Sequence, residues 1–155
     1  MTTTALLLTP DAELTHLQLP DHPEEQYELL EDTVTGFPRP AIYHRRAVLH
    51  VHDNGTGLPP NPAAWALASF WLGRPLPDPL HGPIVLTGPA DDDTDTYTSL
   101  PADLIQQAEH AAAAAAEHRT TNPDTPFAVQ LAAAVDARCM STPRPTRASE
   151  DTPTP

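Results

Sequence analysis

Prolines set the limits on what this chain can become. There are 20 of them in 155 residues. Each removes a backbone donor and fixes φ, so helices and central strands must fit in the intervals between them. That proportion exceeds what a compact fold of this length carries, and part of the chain is expected to lie outside any packed core. The stretch STPRPTRASEDTPTP after Met140 holds four of the prolines and no apolar periodicity, so 141–155 reads as a disordered tail.

The intervals carry clear patterns. TALLL at 4–8 and LTHLQL at 14–19 read as two short strands around a Pro10-Asp11 turn. In HPEEQYELLEDTV, Tyr27, Leu30 and Val34 recur at helical spacing while Glu24, Glu28 and Glu31 share another face. This predicts an amphipathic helix, acidic toward solvent, with Gly36 as its stop signal. AIYHRRAVLHVHD is strand material, and a hairpin turning at Arg45-Arg46 is favoured over one long strand. Within it Ala47, Leu49 and Val51 face one way, while Val48, His50 and His52 face the other, by default toward solvent.

PIVLT at 83–87, apolar throughout between Gly82 and Gly88, predicts a strand buried on both faces and central in its sheet. SLPADLI starts a helix reaching about His118, with Leu104, Ala108, Ala111 and Ala115 as a thin stripe that buries little area. NPDTPF announces another helix, with Phe127, Leu131 and Val135 spaced four apart. The whole is an α+β pattern: a small mixed or antiparallel sheet with packed helices over 1–105, an alanine-rich helical extension over 106–140, and the tail.

Charge and cysteine usage remove several function classes. Against 21 acidic residues stand eight arginines and no lysine, a formal net charge of -13. Nucleic-acid affinity comes from cations that displace condensed counterions, so direct binding to DNA or RNA is not expected. The acidity serves solubility or engages a basic partner. Cys139 is alone, which leaves no disulfide framework and no thiolate cluster for zinc. The apolar run from Ala5 to Leu8 is too short for a secretory signal or a membrane span, and a soluble cytoplasmic protein is expected.

HDNGTGLPPNPAAWALASFW, at 52–71, poses a choice between a phosphate-cradling loop and the start of a buried helix. A cradle needs a row of free N–H groups and a nearby cation. Pro59, Pro60 and Pro62 have no N–H, Asn61 is placed to cap the helix, and no cation falls between Asp53 and Arg74. The Walker and dinucleotide patterns are absent. The helix start is the better reading, with Asn61 as N-cap, Pro62 at N1 and an end near Gly73. Its sequence PAAWALASFWL has one polar side chain, Ser69, and belongs in a core or presents Trp65 or Trp71 to a partner.

The succession Gly55, Gly57-Leu58-Pro59, Asn61, Ala64, then Gly82-Pro83-Ile84-Val85-Leu86-Thr87-Gly88 and Ser99-Leu100-Pro101, resembles the bacterial and phage proteins of domain-of-unknown-function family 3846, from about Val48 to Leu104. His50 and His52 in the strand, and the two tryptophans, depart from that pattern. The resemblance implies an α+β fold and residence in actinobacteria, phages and mobile elements. It implies no activity and no residue roles.

The sharpest catalytic pattern is His50 and His52, two apart on one strand face, with Asp53 adjacent and His44 or His81 as a further metal ligand, which describes a metal-dependent hydrolase. HExxH and GxSxG are both absent, and Asp91, Asp92, Asp93 and Asp95 read as a solvated loop with nothing to hold it rigid. The leading expectation is instead a non-enzymatic acidic accessory protein that needs no cofactor. It binds a protein partner through Trp65 and Trp71 or through Glu24, Glu28 and Glu31, the glutamates standing in for phosphates toward a basic protein.

Overall fold

The computed structural model describes residues 3–53 and 57–121. In chain order the elements are β1 (Thr3–Leu8), β2 (Leu14–Leu19), α1 (Pro23–Val34), β3 (Pro38–His44), β4 (Ala47–His52), α2 (Pro62–Leu72), β5 (Ile84–Thr87), the two-residue strands β6 (Ala90–Asp91) and β7 (Thr96–Tyr97), and α3 (Ala102–Thr121). Five strands form one antiparallel sheet in the order β2-β1-β5-β4-β3, and β6 pairs with β7 as a separate hairpin. With three helices on this sheet the fold is α+β. The short apolar β5 occupies the middle, all four of its residues buried.

Strand parity sorts the core into two layers. Leu6, Leu8, Leu49, Val51, Ile84 and Leu86 pack with α2 and α3 on one face of the sheet. Ala5, Leu19 and Val85 pack with Leu30 and Val34 of α1 on the other. A sheet covered on both faces leaves no solvent side for alternate residues to occupy. Val48 and His50 are consequently buried rather than exposed.

The buried stripe of α1 is Gln26, Leu30 and Val34, and Tyr27, expected inside, is 45% exposed. A buried glutamine requires partners. Here Oε1 accepts from the Tyr97 N–H at 2.8 Å and Nε2 donates to the Pro20 carbonyl at 2.9 Å, so one side chain ties α1 to the β6–β7 hairpin.

The helix ends one residue earlier than a glycine stop predicts. Thr35 takes the left-handed conformation, φ 63, and the Gly36 N–H closes on the Glu31 carbonyl at 3.1 Å. Gly36 serves a different purpose: a Cβ there would overlap the ring of His52. An L residue in left-handed geometry costs about 1–2 kcal/mol, so Thr35→Gly is expected to raise stability by about 1 kcal/mol, read as a higher urea midpoint.

The β3–β4 hairpin turns at Arg45-Arg46 as expected, with a register shift between Ala41 and His44. The alanines of α3 contribute more than the thin stripe implied. Ala108, Ala111, Ala112, Ala114 and Ala115 are buried, and the helix packs on α2 in one unbroken run across the expected boundary at 105/106. Ala64 and Ala68 of α2 share one core layer with these alanines of α3. Among the described residues no helix is long and apolar enough to cross a membrane. The expected helix after NPDTPF, Cys139 and the 141–155 tail lie outside the described residues.

Candidate functional site

Asn61 is fully buried and caps α2, its Oδ1 accepting the Ala64 N–H at 3.1 Å. Its Nδ2 donates to two carbonyls, Leu8 at 2.9 Å and Gly82 at 2.8 Å, and its own N–H donates to Leu80 at 2.7 Å. One side chain thus joins the end of β1, the approach to β5 and the start of α2. Gly82 has φ +76, donates its N–H to the Pro59 carbonyl at 2.8 Å and lies against Leu58, where a Cβ would overlap. Among the described residues of this loop, Pro59, Pro60 and Pro62 have no N–H to offer a phosphate, and the Asn61 N–H is already bonded. It is an anchor.

A pocket of about 130 Å³ opens beside this anchor, lined by Pro60, Pro62, Trp65, Leu76, Pro79 and Leu80. Of the prolines between Arg74 and Pro83, given no role by the sequence pattern, Pro77 and Pro79 line this pocket together with Trp65. Trp65 is 4% exposed and its Nε1 donates to the Leu76 carbonyl at 3.4 Å. Trp71 is half-buried, donates to Gln107 Oε1 at 2.6 Å and lies against the ring of His44 at 5.3 Å. Arg46 clasps both Asp103 oxygens, at 3.2 and 2.6 Å, holding the β3–β4 turn on the first turn of α3. That bond draws the Asp103 carboxyl below its ordinary range. Trp65 is taken up by packing, while Trp71 keeps part of its surface exposed.

The four histidines raised as ligands occupy separate environments. His50 is 1% exposed, facing α1 rather than solvent, with its ring edge-on to Tyr97 at 4.4 Å. Its Nε2 lies 2.9 Å from Thr87 Oγ1, whose hydroxyl donates to the Gly88 carbonyl at 2.8 Å. The hydroxyl proton is already used, so the imidazole carries its proton on Nε2 and donates. Burial pushes the His50 pKa down to about 4 and keeps the ring neutral. His52 is half-buried over Gly36.

His44 sits across the sheet on Trp71, and its Nδ1 accepts the Arg46 N–H at 3.0 Å. Burial, reinforced by the Arg46 charge, lowers its pKa. His81 Nδ1 bonds the Leu58 carbonyl at 3.0 Å in the loop before β5. Among the described residues no group of three or more His, Cys, Asp or Glu is placed to hold a metal ion.

The outward surface of α1 is different. Glu24, Glu25, Glu28 and Asp32 are exposed and Glu31 is half-buried, with no basic residue in the last turn. Among the described residues Glu24, Glu28 and Glu31 form no ion pair, in contrast to Asp53 with Arg39 and Asp103 with Arg46. The Gln26–Tyr97 bonds set the β6–β7 hairpin beside the first turn of α1, and Asp91, Asp92, Asp93 and Asp95 of that hairpin are exposed.

This hairpin is more ordered than its composition suggests, since Asp91 Oδ1 accepts the Asp93 N–H at 2.8 Å and the Asp91 carbonyl accepts the Asp95 N–H at 2.8 Å. Sequence separation hid the juxtaposition, and the signal that could have found it was Gln26 at a core position. No protein-family model, curated protein or solved structure matches this chain.

The geometry alone therefore bears on function. Five carboxylates along about 12 Å of helix give roughly one charge per 2.4 Å, against about one per 1.7 Å of duplex DNA axis. The arginines of the described residues belong to β3 (39), its turn with β4 (45 and 46), the loop after α2 (74) and α3 (119), and none belongs to α1 or the β6–β7 hairpin. A surface carrying one sign of charge attracts an oppositely charged surface and accelerates encounter.

Proposed function

We propose that this chain is an acidic accessory protein that docks a basic protein partner on the outward surface of α1 and the neighbouring β6–β7 hairpin. The supporting observation is a set of carboxylates that form no ion pair among the described residues, Glu24, Glu28 and Glu31 with the hairpin aspartates, on neighbouring elements that carry no arginine. The charge density approaches that of a nucleic-acid backbone, so the partner's complementary surface is one rich in arginine or lysine, and the glutamates stand in for phosphates there.

The test is affinity capture from an extract of the native host with the wild-type chain and with a Glu24→Gln, Glu28→Gln, Glu31→Gln variant. A basic partner is expected on the wild type, weakened as salt is raised and reduced about tenfold or more by the triple variant. Asp78→Asn, on the α2 side, is expected to leave capture unchanged. Equal capture by the triple variant, or capture insensitive to salt, would remove the proposal.

A further inference from the structure

The two edges of the sheet are built differently. The Asp53 N–H bonds the Phe37 carbonyl at 2.9 Å, so on β3 the groups of Arg39 and Ala41 turn toward β4 while those of Pro38 and Pro40 turn outward. That edge therefore offers two ring nitrogens without protons, and its register shifts beyond Ala41, so it is a poor template for another strand. On β2 the Thr9 N–H bonds the Glu13 carbonyl at 3.0 Å. By the same alternation Thr15, Leu17 and Leu19 pair with β1, and Leu14, His16 and Gln18 direct their N–H and C=O groups to the open edge. All six residues run in unbroken register without proline, glycine, arginine or lysine, and the side chains of Thr15, His16 and Gln18 are exposed.

We infer that the β2 edge receives an extended segment of the partner as a sixth strand, flanked by basic residues. This rests on the proposal of a basic partner and adds where its backbone pairs. Strand addition draws affinity from main-chain hydrogen bonds and specificity from the flanking side chains. Exposed Glu13 stands at one end of β2, and exposed Glu24 and Glu25 follow its other end. A second copy is the wrong occupant: antiparallel β2–β2 pairing would bring Glu13 of each toward the acidic end of the other, between chains of net charge -13. A segment with lysine or arginine at both ends removes that repulsion.

The probe is a capped seven-residue peptide of alternating valine and threonine with a lysine at each end, titrated into the full chain. Two controls accompany it, one with glutamate ends and one N-methylated at alternate residues on the pairing edge. The lysine-ended peptide is expected to bind and to slow amide exchange at Leu14, His16 and Gln18. N-methylation is expected to weaken it about tenfold or more, and glutamate ends to abolish it.

His16→Pro removes an outward N–H that β1 does not use, so it is expected to end binding with little change in melting. Equal binding of the N-methylated peptide would overturn strand addition while leaving charge attraction to α1 intact. Absence of binding, or concentration-dependent dimers that His16→Pro dissolves, would overturn it as well. Partner capture lost in the triple glutamine variant but kept by His16→Pro would retain the α1 surface and reject the edge, and the reverse pattern would reject the α1 surface.

Discussion

Asn61→Ala is expected to cost about 3 to 5 kcal/mol of stability, a large part of what a domain of this size possesses. The change removes the α2 cap, worth about 0.5–2 kcal/mol, and leaves the Leu8 and Gly82 carbonyls and the Ala64 amide buried without their partner. Each such group costs about 1–3 kcal/mol, with some relief from relaxation. Urea unfolding followed by tryptophan fluorescence reads the loss as a lower midpoint with little change in slope.

Asn61→Asp separates the parts. It keeps the acceptor for Ala64 but turns carboxylate oxygen toward two carbonyls in a buried site, so at neutral pH it is expected to destabilise at least as much as alanine. A loss below about 1 kcal/mol for the alanine variant would mean that the loop is not an anchor and would reopen it as a ligand site.

The second large effect is on pH dependence. The His50 pKa is about 4 in the folded chain against 6.5 for an unperturbed imidazole. As pH falls below 6.5 the unfolded chain takes up this proton first, and the folded state loses ground until about pH 4, below which both states are protonated. The loss over that window is roughly 3 kcal/mol, since each pKa unit corresponds to about 1.4 kcal/mol. Above pH 6.5 the contribution is flat.

His50→Gln keeps a donor for Thr87 but cannot titrate. The wild type is therefore expected to lose stability relative to this variant between pH 7 and pH 4.5, measured by urea unfolding at both. The surface carboxylates are common to the two proteins and cancel in the comparison. Parallel profiles would show that His50 is not a buried neutral group.

Much of the fold was legible because periodicity and punctuation agreed. The apolar IVLT run identified the central strand, the alternation from Ala47 to His52 separated the two faces of β4, and Asn61-Pro62 marked the start of α2. Parity separates faces without saying which of them is wet. His50 reads as solvent-facing because nothing local announces that α1 covers that side of the sheet.

Gly36 departs from its sequence pattern for a related reason. A glycine after a helix suggests a left-handed stop, but its small size here is demanded by His52, sixteen residues on and across the β3–β4 pair. Tyr27 and Gln26 exchanged roles because a glutamine becomes a core residue only when distant groups, here those of Tyr97 and Pro20, meet its amide. The acidic surface was half legible. The glutamate stripe of α1 is a helical pattern, whereas the acidic hairpin is held beside α1 by that same amide.

Carboxyl footprinting of the captured complex tests the central claim most directly, by labelling Asp and Glu side chains with a carbodiimide before and after the partner is added. Reduced labelling is predicted at Glu24, Glu28 and Glu31 and at the aspartates from 91 to 95, with Asp78 and Glu109 unchanged. Protection at Asp78 and Glu109 with Glu24, Glu28 and Glu31 labelled as in the isolated protein would contradict it, and would place the partner on the α2–α3 side.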